Sequence, residues 1–296
     1  MRVFPVVFIC LERSLLSGRM PIRARKFIRK LRGGAQAHLL EAEDNELYVV
    51  KFVNNPQHRR ILVNEWLACA FLRYLQIHVP ETIVIELTAE FLQDNPDLYL
   101  SMGSRKETVP AGLHFGSRMA VNPERVAIYD FLPDKLLSKV ENRVDFVGIL
   151  AFDKWVGNAD SRQAVFFRAR LKSWTPLRGP SPARVGFFAQ MIDHGFAFNG
   201  PHWTFQDSPI QGLYYRTSVY DEVTCIDSFE PWLAMIENFP AEVIDSAWKE
   251  VPSAWLKGDE SALEDLLERL FKRRSQVSGL IHELQRKRST AFATWR

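Results

Sequence analysis

Four groups of residues in this chain combine types and spacings that can do chemistry. The first is Gly33-Gly34-Ala35-Gln36, with Lys51 downstream in the apolar run Tyr48-Val49-Val50-Lys51-Phe52. A Gly-rich turn lets backbone N–H groups approach phosphates, and a lysine on a following strand adds a point charge to them. A plain turn and a solvated lysine are the simpler alternative. Strand alternation, however, sets Lys51 on the same side as Val49 and Val53, a poor face to leave in water. The second is Glu65, in Asn64-Glu65-Trp66, within reach of a lysine on an adjoining sheet; most isolated helix glutamates simply face solvent. The third is the polar run Gly157-Asn158-Ala159-Asp160-Ser161-Arg162-Gln163 after an apolar helix pattern. There Asp160 can accept a proton from an attacking hydroxyl, Arg162 can hold phosphate and Gln163 can ligate a metal. An Asx-turn would use the same Asn and Asp. The fourth is Ile192-Asp193-His194-Gly195-Phe196, a carboxylate at a strand end suited to a hard cation such as Mg²⁺.

The elements that must position these groups are legible in outline. Strands are predicted over His38–Glu41 and Leu47–Val53, joined at Glu43-Asp44-Asn45 as a hairpin. A helix is predicted over Arg60–Leu75, with Leu62, Trp66, Leu67, Ala70, Phe71 and Leu75 on one face. Thr82–Leu87 reads as a strand, and Leu98–Met102 and Gly112–Gly116 are expected to complete a small sheet. After Pro123 the text turns helical over Asp134–Val140 and Arg143–Trp155. A strand pair follows, Ala164–Arg170 and Val185–Ile192, joined by a loop at Trp174–Pro182. Helices are then predicted over Phe229–Asn238, Ala241–Val251 and one long stretch from Ser261 to Arg288. A β-rich first part and a helical second part read as an α+β fold with two lobes, residues 20–120 and 121–296.

Composition narrows the function classes. With 296 residues, 47% hydrophobic and 12% aromatic, the chain can bury a substantial core, and disorder is excluded. Three distant cysteines do not make a disulfide framework, and no apolar run reaches membrane-spanning length. These features point to a cytoplasmic protein. The net charge of +3 is uneven: residues 1–32 carry +8, so residues 33–296 sum to −5. A polyanion partner for the main body is therefore not implied. Nucleic-acid binding through Arg19–Arg32 is a third functional reading; a solvated helix face covering the first lobe accounts for the same residues. Residues 1–19 are expected to be a loose extension or a start-site artefact, with Met20 as the alternative start. His58, His78 and His202 have no metal-ligand spacing, and His114 and His194 are expected to make structural hydrogen bonds.

The order of the four groups is that of a kinase-type phosphotransferase: Gly-rich turn, strand lysine, helix glutamate, polar loop with Asp, strand pair, Asp-x-Gly. From about Met20 onward the chain resembles the HipA-like kinases, in their compact branch. The matching text is RGGAQAHLL, YVVKF, NEWLA, GLHFGSR, FDKWVGNADSRQAVFFR and IDHGFAF. The resemblance implies a two-lobed protein-kinase-like fold, ATP with Mg²⁺, and γ-phosphoryl transfer to a hydroxyl of a protein or small molecule. It implies that Lys51 contacts the α/β-phosphates, Glu65 pairs with Lys51, Asp160 is the catalytic base and Asp193 binds the metal. HipA toxins have an antitoxin partner, so an antitoxin-like regulator is a further expectation.

Two departures stand out. Larger family members carry a metal-binding Asn five residues after the catalytic Asp, where this chain has Val165; Gln163 is the nearest polar substitute. Asp153 with Asn158 also fits the D-x4-N spacing of ordinary kinases, but Asp153 falls inside an apolar helix pattern, which favours Asp160 as the base. The chain is shorter than the toxins, and their additional N-terminal module is expected to be missing. Val165 motivates the alternative of a nucleotide-binding pseudokinase with a regulatory or scaffold role. Trp203 and Tyr214-Tyr215 fall where an activation segment would run, as candidate substrate contacts.

Overall fold

The computed structural model describes residues 20–170 and 184–296. The expectations for residues 1–19 and for the Trp174–Pro182 loop lie outside the described residues.

The first lobe is a closed five-stranded barrel. Its strands are β1 (Ile22–Lys30), β2 (His38–Ala42), β3 (Leu47–Lys51), β4 (Thr82–Leu87) and, after a two-stranded insert, β7 (Gly112–Arg118). They run in the order β1-β2-β3-β7-β4, and a short parallel pairing of β1 with β4 closes the barrel. Alternation sends Leu40, Ala42, Tyr48, Val50, Phe52, Ile83 and Ile85 inward as one core. The basic text Ile22–Lys30 is thus a strand, not the solvated helix face expected from its charge. Ile22, Ala24 and Phe27 pack on the barrel core while its arginines face outward. Two register shifts interrupt the period of two, which hides the strand from pattern reading. Leu98–Met102 does not complete the barrel either. It supplies β5 (Tyr99–Met102), which pairs only with β6 (Arg105–Thr108) as a separate hairpin, preceded by the short helix α2 (Ala89–Asp94).

Helix α1 (Arg60–Tyr74) is buried nearly all round, not along one face as predicted. Ile61, Val63, Ala68, Cys69 and Leu72 are covered as well as the expected stripe. A helix apolar on every side needs cover on every side. The shared core supplies it, with Val84 and Phe115 from the barrel and Phe152, Trp155 and Phe239 from the second lobe.

The second lobe begins with β8 (Ile128–Tyr129), α3 (Asp134–Leu137) and α4 (Asp145–Val156). The strands β9 (Gln163–Arg170) and β10 (Val185–Ile192) follow, in the sheet order β10-β9-β8. Helices α5 (Trp232–Glu237), α6 (Ala241–Lys249), α7 (Ser253–Leu256), α8 (Glu260–Lys272) and α9 (Val277–Lys287) complete it. The single long helix expected over Ser261–Arg288 is broken at Arg273–Gln276. The break turns the buried Arg273 onto the carbonyls of Lys154 and Trp155, at 3.1 and 2.9 Å, where a cation suits the negative end of α4. Together the lobes make the α+β, two-lobed fold expected from the sequence. No helix among the described residues is long and apolar enough to cross a membrane.

Candidate active site

Lys51 ends β3 on the face opposite Val50 and Phe52, which are fully buried in the barrel. Its ammonium therefore leaves the barrel toward α1. It donates to the Glu65 carboxylate and, at 2.8 Å, to Asp193 Oδ1. Glu65 Oε2 in turn accepts the His194 backbone N–H at 3.1 Å, so one carboxylate holds both the lysine and the turn after Asp193. That turn sits tight on α1. A Cβ on Gly195 would lie 2.6 Å from Ile61 Cγ2, a distance only glycine avoids. Asp193 itself adopts the left-handed region at φ 59°, a conformation uncommon for non-glycine residues and frequent at functional turns.

Electrostatics follow the geometry. Burial pushes the Lys51 ammonium down, but the carboxylates of Glu65 and Asp193 outweigh it and hold its pKa above the ordinary value. The Lys51 charge holds the Asp193 carboxyl below the usual range. Burial and the neighbouring Arg162 push His194 far down, which leaves the imidazole neutral. An anionic Asp193 beside a cationic Lys51 is ready for a polyphosphate and its counter-cation.

The polar loop starts where α4 ends at Gly157, in the left-handed conformation typical of a helix C-cap. Asn158 donates to Asp153 Oδ1 at 3.1 Å and accepts the Asp160 N–H at 3.2 Å. The Ala159 N–H donates to the Phe196 carbonyl at 3.0 Å, which joins the loop to the segment after Asp193. Asp160 is half-buried. Its Oδ1 takes the Ser161 N–H at 2.7 Å, while Oδ2 receives only a long 3.4 Å contact from Gln163 Nε2. One carboxylate oxygen is thus open to a substrate proton.

The β9–β10 register shows which residue pairs next to Asp193 along the backbone. Gln163 pairs directly with Ile192, the residue before Asp193, whereas Val165 pairs with Gln190 farther along the strand. Gln163 is exposed there, and its amide makes a long 3.4 Å contact with Asp160. Among the described residues no group of three or more His, Cys, Asp or Glu gathers as a metal cage. One or two carboxylates and an amide oxygen, completed by phosphates, are nevertheless the donor set that Mg²⁺ uses in nucleotide sites.

Arg162, expected to hold phosphate, is placed elsewhere. It is 2% exposed, donates to Asp153 through Nε at 2.9 Å and through a second nitrogen, and also meets the Ile192 carbonyl and His194 Nδ1, each at 3.0 Å. Its fork is spent inside the protein because Asp153, fully buried in α4, needs a cation. Asp153 has no free oxygen either; burial pushes its carboxyl up against the pull of Arg162. Gln36 is likewise occupied. Its amide donates to the Ser101 carbonyl and accepts the Ser101 N–H, both at 2.7 Å, which docks the turn on the β5–β6 hairpin. Gly33 and Gly34 remain exposed, and Ala35 offers its carbonyl to Asn55. His38, just after the turn, pairs with Val50, so the turn stands next to the Lys51 end of β3. Trp203 is buried and bonded to Asn64, not presented to a substrate; Tyr215 of the Tyr pair is 60% exposed. Sequence reasoning missed Asn64, whose signal was an amide beside Glu65 in a largely apolar helix.

Residues 25–166 match the family model of the HipA-like kinases, which bears out over that span the resemblance carried by the motifs and supports a kinase-type phosphotransferase. The matched span holds Lys51, Glu65 and Asp160; Asp193 lies beyond it and is brought in by the fold. No curated protein matches the chain. Among solved structures, the chain is similar to the Golgi casein kinase with Mn/ADP bound, at 13% identity and TM-score 0.48, over 94% of this chain and 76% of that one. It is also similar to the Helicobacter pylori proinflammatory kinase CtkA, at 14% identity and TM-score 0.40, over 92% of this chain and 99% of that one.

Proposed function

We propose that this chain, a HipA-like kinase over residues 25–166, is an ATP-dependent phosphotransferase that moves the γ-phosphoryl group to a hydroxyl of Ser/Thr type. The observation that carries the reading is the convergence of Lys51, Glu65 and Asp193 from three separate elements, with the open oxygen of Asp160 on the adjoining loop. The exposed Gly33-Gly34 backbone and the Lys51 ammonium bind and orient the phosphates. Glu65 fixes Lys51 in place. Asp160 takes the proton of the acceptor hydroxyl as its oxygen bonds to the γ-phosphorus; the bond from that phosphorus to the bridging oxygen breaks, and ADP leaves. Asp193, with Gln163, would hold Mg²⁺, which when bound neutralises charge on the phosphates. The acceptor is a protein or small molecule, and an antitoxin-like protein is the regulator the family suggests. The pseudokinase alternative rests on Val165; the pairing of Gln163 with Ile192, the residue before Asp193, favours Gln163 as the second ligand and so the active reading.

Incubation with γ-labelled ATP and Mg²⁺, alone and with cell lysate, tests the reading. Label should pass to this chain or to a lysate acceptor, and Asp160→Asn should lower transfer by about 10²–10⁴-fold while nucleotide binding persists. Transfer undiminished in Asp160→Asn would remove Asp160 from the chemistry.

A further inference from the structure

Kinase sites are commonly completed when a phosphorylated side chain orders the segment after the metal-binding Asp. In this chain an amide from α1 bonds the backbone of that segment. Asn64, fully buried on α1 beside Glu65, directs Nδ2 at three backbone carbonyls: Gly195 at 2.7 Å, and Ala197 and Gly200 at 3.0 Å each. Its Oδ1 accepts the Trp203 indole N–H at 2.8 Å. The residues it gathers are conformationally costly, since Phe198, Asn199 and Trp203 all have φ between 53° and 59°. Such a run persists only where its surroundings over-determine it. Further bonds do so. Arg60, one helical turn before Asn64, donates to the Pro201 carbonyl at 2.9 Å and stacks over the Trp203 ring at 4.2 Å. Arg60 and Arg59 are both anchored on Asp259 at the start of α8, and Arg269 of α8 donates to the Trp203 carbonyl at 2.8 Å.

The same segment supports both halves of the candidate site. Its Phe196 carbonyl accepts the Ala159 N–H from the loop that bears Asp160, and the Gly157 carbonyl accepts the Asn199 N–H at 3.1 Å. Its first residues are the turn that Glu65 holds through His194. We infer that Asn64 is a positioning residue for phosphoryl transfer, fixing the 195–203 segment so that Asp193, Glu65 and the Asp160 loop share one geometry without any modified side chain. The inference rests on the phosphotransferase reading for its kinetic consequence, but not for its structural one.

The near-isosteric Asn64→Asp removes the amide donors, sets a carboxylate against three carbonyls and keeps an acceptor for Trp203. Asn64→Leu removes both functions. In both variants kcat should fall about 100-fold, as for misplacement of reacting groups by about an ångström. KM for ATP should stay within about twofold, and half-saturation by Mg²⁺ should rise. Hydrogen exchange of the amides over 197–204 should quicken while the barrel stays protected. Phosphatase treatment of the wild type should leave kcat unchanged. Wild-type kcat and wild-type exchange in Asn64→Asp would overturn the inference. Loss of barrel protection, or a rate that depends on phosphorylation, would overturn it too. A wild type with no transferase activity would instead count against the proposed function, and the exchange experiment would still decide what Asn64 holds.

Discussion

Asp153 and Asp160 are seven residues apart, carry the same group and both fit a kinase spacing, yet the fold assigns them opposite environments. Asp153 is fully buried, and Arg162 and Asn158 occupy its oxygens. Asp160 is half-exposed, with one oxygen engaged by the Ser161 N–H and the other nearly free. A carboxylate that must take a proton needs a lone pair no internal donor has claimed. A carboxylate that joins elements together needs every oxygen claimed, because a buried unpaired charge costs far more than a hydrogen bond returns. The contrast between the α4 end and the loop after it thus separates a scaffold carboxylate from the one proposed as the base.

The sharpest way to break the comparison is to neutralise each carboxylate in turn. Asp160→Asn should lower phosphoryl transfer by about 10²–10⁴-fold, the range for a lost general base, with the midpoint of chemical denaturation unchanged. Asp153→Ala should do the reverse in kind. It leaves Arg162 buried without its partner, and loss of about 3–5 kcal/mol in denaturant titrations is expected. The double variant Asp153→Leu/Arg162→Met should recover part of that loss, since the buried charge leaves with its partner. If Asp153→Ala proved stable but inactive and Asp160→Asn active, the two roles would have to be exchanged.

How far this contrast was legible beforehand depended on where the partners lay. Asp160 was separable from Asp153 because only the latter fell within an apolar helix pattern. The partner of Asp153 was not readable, since Arg162 stands in the polar loop among residues that suit phosphate. Lys51 and Glu65 were found from apolar surroundings that a free charge would avoid. Their meeting with Asp193 depends on a contact across 142 residues, beyond any local pattern. Strand β1 was lost to two bulges and a basic composition, and the barrel closure was lost with it. Asn64 escaped because its partners are backbone carbonyls, and the sequence gives no sign of which carbonyls a fold will leave open.

The barrel extends the same contrast to a group that titrates nearer neutrality. His114 is fully buried against the Phe52 ring; its Nδ1 accepts the Val53 N–H at 3.1 Å, and Nε2 donates to the Pro110 carbonyl at 3.0 Å. Burial lowers its pKa to about 4, with the Pro110 carbonyl opposing weakly. The unfolded chain binds this proton below about pH 6.5, and the folded protein does not until about pH 4. Stability from this group is therefore complete above pH 6.5 and falls as the pH drops to about 4, by at most about 3 kcal/mol. Denaturant titrations at pH 7 and 4.5 should show that loss, and His114→Gln should reduce it. His38, also lowered to about 4 by burial, should maintain a residual slope. An unchanged slope in His114→Gln would mean the ring is charged or hydrated in the folded state.

The smallest expected effect tests the register argument itself. Sequence spacing places the second metal ligand at Val165, whereas strand pairing sets Gln163 opposite the residue before Asp193. Two residues along a strand is about 6.5 Å, too far for one side chain to stand in for the other at a compact cation. Gln163→Leu should therefore raise the Mg²⁺ concentration for half-maximal transfer by about tenfold, within the range for altered metal surroundings. Val165→Asn should leave it within about twofold. Titration of transfer rate against Mg²⁺ at saturating ATP measures both. A silent Gln163→Leu beside a Val165→Asn that tightens metal use would mean that spacing from Asp160, not pairing with β10, sets the ligand. The amide beside Asp160 would then be reduced, like Gln36, to holding the loop.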